Sequence, residues 1–144
     1  MKPESAPLRP SALLALQCAT HATLHLIATE LVDLGLTASE INALANLADG
    51  QGRTISRLGA AVGARPTTLT SVLDRLKRRG HLSRGARADD RRSALIELTD
   101  SGREAAAVIA RTLADLEHRA LKDLAAEAIA GFLAVLNALT EEGS

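Results

Sequence analysis

Aromatic side chains are almost absent from this chain of 144 residues: it has one Phe and neither Tyr nor Trp. Its core must be built from Ala, Leu, Val and Ile, and the first two are strong helix formers, so close-packed helices are favoured. An aromatic stacking pocket is excluded on the same ground, and any ligand would be held by aliphatic walls and a few polar groups. Cysteine is as scarce. Cys18 stands alone, so no intrachain disulfide framework exists. No apolar run is seen that reaches the roughly 18 residues of a membrane span. The N-terminus lacks the charged and apolar regions and cleavage site of a secretory signal. The expectation is a cytoplasmic protein without a membrane partner. Enzyme signatures are missing too. There is no Gly-rich phosphate loop, no nucleophile motif and no complete metal set, and Gly63–Thr68 (GARPTT) lacks the lysine and glycine spacing of a P-loop. Neither an enzyme nor a cofactor is expected.

Net charge is also lacking: 17 basic residues balance 17 acidic ones. Their distribution is uneven. Residues 51–92 hold eleven basic residues (Arg53, Arg57, Arg65, Arg75, Lys77, Arg78, Arg79, Arg84, Arg87, Arg91, Arg92) and three acidic ones (Asp74, Asp89, Asp90). That is +8 in the middle and −8 in the remainder, the footprint of a polyanion-binding module on a solvated scaffold.

What is present reads as helices. A chain of this length fits one domain. Residues 1–10 hold three prolines and are read as a flexible arm. Ser11 is a plausible N-cap for a helix through about Leu34 that is apolar on more than one face, which points to burial on more than one side, with a second subunit as the cover. Thr37 and Glu40 are spaced as a capping box and open a helix to about Asp49, with Ile41, Leu44 and Leu47 inward. Thr54 caps a short helix ended by Gly63. Thr99 or Asp100 caps a helix to about Lys122, and a last helix runs from about Leu124 to Thr140.

The stretch from Ala64 to Thr99 organises the rest. Pro66 suits a first helical position and Gly80 a helix stop. Between them Leu69, Val72, Leu73 and Leu76 recur at helical spacing. Strands are predicted over His81–Arg84 and Ser93–Leu98, separated by GARADDRR, which is read as a loop. Two short helices joined by a tight turn, the second amphipathic and basic, form a helix-turn-helix layout, and the hairpin adds a wing.

The order "LDRLKRRGHLSR", a wing with "DRR", then "LTDSGREAA" resembles the MarR (multiple antibiotic resistance regulator) family of bacterial transcription factors. Leu73-Asp74-Arg75-Leu76 before Gly80, and Asp90-x-Arg92 before Leu98-Thr99-x-x-Gly102, carry the resemblance. It covers residues 37–110 well and the flanking helices in layout. It implies a mainly α protein with a small β-wing, assembled as a triangular homodimer. Residues 11–36 and 100–144 would form the helical dimerisation region, and 37–99 the winged helix-turn-helix DNA-binding region. The implied function is a sequence-specific regulator of transcription, a repressor released from a pseudo-palindromic operator on double-stranded DNA by a small ligand. The alternatives are a redox-responsive (Cys18) or zinc-responsive regulator of the same fold, or a winged helix used for protein–protein contact. One departure is Arg65, which stands where the family commonly has a capping Asp or Ser.

On this reading Thr67, Thr68, Thr70 and Ser71 meet base edges in the major groove. Arg75 lies near the phosphates, and Arg65 meets guanine or phosphate. Arg92, with Arg87 and Arg91, enters the minor groove, where a narrow groove concentrates negative potential. Asp90 shapes the wing. The sensor is less legible. Cys18, His21 and His25 fall within roughly 60° on a helix. They read as a core cysteine beside two histidines, or as a redox sensor lacking the Tyr that organic-peroxide sensors of this family employ. With His118 they could contribute to a zinc site. His21, His25, Arg53 and Arg57 are candidate effector contacts between the dimerisation helices and the winged domain.

Overall fold

Ser11 starts the first helix by accepting a hydrogen bond from the Leu14 N–H at 3.2 Å, and α1 runs over Ala12–Glu30. The computed structural model describes residues 10–87 and 90–143, apart from the side chains of 86, 87 and 90–93. The chain divides into two units, Met1–Thr112 and Leu113–Ser144.

In the first unit α1 stops four residues short of the expected Leu34. Val32–Leu34 tighten into a 3₁₀ turn ended by Gly35 at φ 62°, a common way for a helix end to satisfy its last carbonyls. None of the residues of α1 is buried, and Leu13, Leu14, Leu24 and Leu26 are exposed. By length and composition α1 could cross a membrane, which corrects the expectation that no stretch is long and apolar enough. Uncharged polar residues interrupt its apolar run. Yet Thr20, Thr23 and Thr29 each donate to a carbonyl one turn back, so these hydroxyls need no outside partner. A helix buried in protein has the same length and composition.

The Thr37 hydroxyl oxygen accepts from the Glu40 N–H at 3.2 Å and opens α2, Ala38–Ala45. This helix is shorter than expected: Asn46 is its C-cap, with backbone N–H and side-chain amide both donating to the Asn42 carbonyl, the latter at 2.9 Å. Thr54 caps α3, Ile55–Val62, and Gly63 ends it at φ 67°. Then α4 covers Pro66–Arg78. The wing is the antiparallel pair β1 (Leu82–Arg87) and β2 (Asp90–Leu98), with Leu82 opposite Leu98 and Arg84 opposite Ile96. Both strands enter the segment expected to be a loop. The ladder is made by backbone groups, so polar residues continue it once the register is set. Arg53 adds a bridge at the other side of β2, exchanging both hydrogen bonds with Ile96.

The core of this unit is aliphatic, as the lack of aromatics requires. Leu44, Leu47, Leu58, Leu69, Leu76, Ile96 and Ile109 are its largest fully buried side chains. Helix α5, Asp100–Leu121, begins here and runs through the unit boundary. Thr99 is its cap, accepting from the Gly102 N–H at 3.1 Å. In the second unit α6 spans Ala126–Glu142 and buries nothing, while Leu124, Phe132, Leu133 and Val135 are exposed.

Candidate nucleic-acid interface

A helix that reads DNA needs one face held rigidly and the other left free. In α4 the spacing of Leu69, Val72, Leu73 and Leu76 buries one side. Thr67, Thr68, Thr70 and Ser71 lie exposed on the first turns. Arg65 occupies the N-cap with extended backbone and gives no side-chain cap. The expected departure at this position is therefore present, and the guanidinium is left to solvent.

The four hydroxyls are not equivalent. Thr70 Oγ1 donates to the Pro66 carbonyl at 2.8 Å, and Ser71 Oγ accepts from Arg75 Nη1 at 3.3 Å. Thr67 and Thr68 make no hydrogen bond with their hydroxyls among the described residues. They are the pair with both donor and acceptor capacity uncommitted among the described residues.

The cations divide in the same way. Arg53 donates through Nε to the Asn46 carbonyl at 2.8 Å and pairs with Asp49 at 2.7 Å. Arg75 Nε lies 3.5 Å from Glu40 Oε1. Arg79 donates to the Gly35 carbonyl and lies 3.8 Å from Glu40 Oε2. By contrast Arg57, Arg65, Lys77, Arg78 and Arg84 are exposed and unpaired among the described residues. Arg75, expected near phosphates, is thus also tied to α2. Sequence reasoning counted Arg84 only as charge and Glu40 only as a cap partner. The capping spacing was the only signal at Glu40. Its hydroxyl contact with Thr37 Oγ1, at 3.0 Å, replaces the cap N–H contact that the box predicts.

On the wing, Arg87 and Asp90 face each other in the register. The side chains of Arg87, Asp90, Arg91 and Arg92, with all of residues 88–89, lie outside the described residues.

The sensor candidates do not converge. Cys18, His21 and His25 are exposed on α1, so Cys18 is not a core residue of the single chain. No group of three His, Cys, Asp or Glu able to hold a metal occurs among the described residues, and His118 belongs to the second unit. An open cleft of about 650 Å³ lies between α3, the start of α4 and the wing, lined among others by Thr54, Ile55, Gly59, Pro66, Leu69 and Arg84. His21, His25, Arg53 and Arg57 do not line it.

The family model for the MarR family matches residues 34–93, the segment that holds α2, α3, α4 and most of the wing. The helix-turn-helix and wing of this chain match the MarR family. Solved structures resemble it over most of its length. A MarR-family transcriptional regulator from Silicibacter pomeroyi is 26% identical, with a TM-score of 0.75 over 89% of this chain and 86% of that one. A MarR-family regulator from Listeria monocytogenes, solved with a 26mer DNA, is 18% identical, with a TM-score of 0.83 over 93% and 89%. CouR from Rhodococcus jostii, bound to p-coumaroyl-CoA, is 21% identical, with a TM-score of 0.78 over 88% and 89%. The latter two likenesses concern the fold. No curated protein matches the sequence. The matched segment begins at Leu34, so it includes Gly35 and Glu40 as well as the helix-turn-helix.

Proposed function

We propose that the chain is a homodimeric repressor that binds double-stranded DNA sequence-specifically and is released by a small ligand. Residues 37–99 form the reading module. Residues 11–36 and 100–144 supply the dimer contacts. The observation that carries the reading is the outer face of α4, where the Thr67 and Thr68 hydroxyls and the Arg65 guanidinium have no partner among the described residues, on a helix anchored by four buried aliphatic side chains; Arg84 on β1 adds a further cation without a partner among those residues. Hydroxyls of this kind meet base edges, and a Thr methyl packs on a thymine methyl. The unpaired cations take phosphates, and the wing arginines enter the minor groove. The exposed apolar residues of α1 and α6 are the surface a second subunit covers. The DNA-bound Listeria structure supports the nucleic-acid partner, and the ligand-bound CouR structure supports an effector.

Selection of duplexes from a random-sequence pool, followed by anisotropy titration across salt, tests this. The expected result is a pseudo-palindromic motif with half-sites about one turn (~10 bp) apart, and an affinity that falls steeply with salt as counterions are released. Absence of any enriched motif would refute sequence-specific reading. Thermal-shift screening of small ligands, zinc and peroxide, read beside DNA binding, identifies the effector class.

A further inference from the structure

We propose that Glu40 is a positioning residue for DNA reading, acting through Arg75 and Arg79 to fix where α4 sits. The inference rests on α4 being the reading helix. Glu40 is the one buried charged residue among the described residues, with 3% of its surface exposed. Its Oε1 accepts the Thr37 hydroxyl proton at 3.0 Å and faces Arg75 Nε at 3.5 Å. Its Oε2 is buried with no hydrogen bond, and Arg79 Nη1 lies 3.8 Å from it. A carboxylate taken out of water is costly unless its counter-charges stay in place. Any slide or rotation of α4 that withdraws Arg75 or Arg79 takes away one of its two counter-charges.

The two arginines sit one turn apart on the C-terminal half of α4, away from the threonines that face outward. Arg79, at the C-cap, also donates to the Gly35 carbonyl, where the 3₁₀ turn after α1 ends. Gly35 is crowded by this contact: a Cβ there would stand 3.3 Å from Arg79 Nη2. So α4 is held at one end by a buried charge on α2 and by the exit of the preceding turn. Apolar packing alone tolerates small slips, because it has no direction. An ion pair of fixed partners adds that direction.

The test is the ratio of affinity for a duplex selected by the wild-type chain to affinity for a scrambled duplex of equal length, at one salt concentration. Glu40→Gln keeps size and can keep the Thr37 contact but removes the charge. A positioning role predicts that the ratio falls about tenfold, from loss of the selected-site affinity. A charge effect alone predicts tighter binding to both duplexes with the ratio unchanged, and would overturn the proposal. Ala43→Gly, a neighbouring buried change in α2, is the matched control. If it lowers the ratio as far as Glu40→Gln does, α2 loosening explains the effect and the proposal fails. If Glu40→Gln does not fold, Arg79→Gln at the exposed C-cap replaces it. Loss of a phosphate contact weakens both duplexes alike, so a fall in the ratio supports positioning and an unchanged ratio overturns it. A wild-type chain that does not distinguish the two duplexes would instead refute α4 as the reader.

Discussion

A Cβ built on Gly102 would stand 2.0 Å from the carbonyl oxygen of His81. The first turn of α5 thus lies against the backbone that links α4 to the wing. The same junction is tied by Thr99, whose N–H donates to the His81 carbonyl at 3.1 Å and whose hydroxyl donates to that of Gly80. This gives the spacing Leu98-Thr99-x-x-Gly102 a physical reason: one residue caps the helix and the other lets it approach.

Gly102→Ala therefore reverses the usual sign. Ala in place of a helical Gly ordinarily stabilises by up to about 1 kcal/mol. Here the backbone cannot yield cheaply, and a loss of about 1–3 kcal/mol is expected. Urea denaturation checks it. A midpoint equal to or above that of the wild type would show that the junction relaxes.

The two classes of hydroxyl on α4 should separate on substitution. Thr68→Val removes a free hydroxyl and should weaken binding to the selected duplex roughly threefold to tenfold, with relaxed preference at one base position. Thr70→Val removes a hydroxyl already spent on the Pro66 carbonyl and should change affinity by about twofold or less. Equal effects at the two positions would contradict the distinction.

Arginines of equal formal charge should also differ. Arg84→Ala removes a cation without a partner among the described residues and should lower the salt slope of binding by about 1. Arg53→Ala breaks contacts with Asn46 and Asp49 and should leave the slope unchanged while lowering the melting temperature. Arg92→Ala should weaken binding about tenfold if the wing reads the minor groove. Anisotropy titrations at several salt concentrations give all three values.

Phe132 and Leu133 are more than half exposed on α6. The doubly substituted Phe132→Asp, Leu133→Asp chain should sediment as a monomer while keeping its helical circular dichroism. A dimer that persists would move the subunit contact away from α6.

Much of this was legible in the chain. Ser11, Thr37 and Thr54 cap helices as their spacing predicts, and the four aliphatic residues of α4 all turn inward. These features depend on neighbours within about one turn, which sequence displays directly. Helix ends and strand lengths were less legible. Asn46 stands as the C-cap of α2 with its side-chain amide on the Asn42 carbonyl, and the wing strands lengthen because backbone pairing, once begun, carries polar residues along.

By itself the sequence determined an aliphatic helical core, a basic middle between acidic flanks, and the ordered marks of a MarR-family winged helix. Only the tertiary structure decided which charges are spent. Arg79 meets a carbonyl 44 residues away and Glu40 faces Arg75, 35 residues further on, whereas the guanidinium groups of Arg84 and Arg65 have no partner among the described residues. Along the chain these groups look alike, because a side chain's charge is local while its partner is chosen by packing.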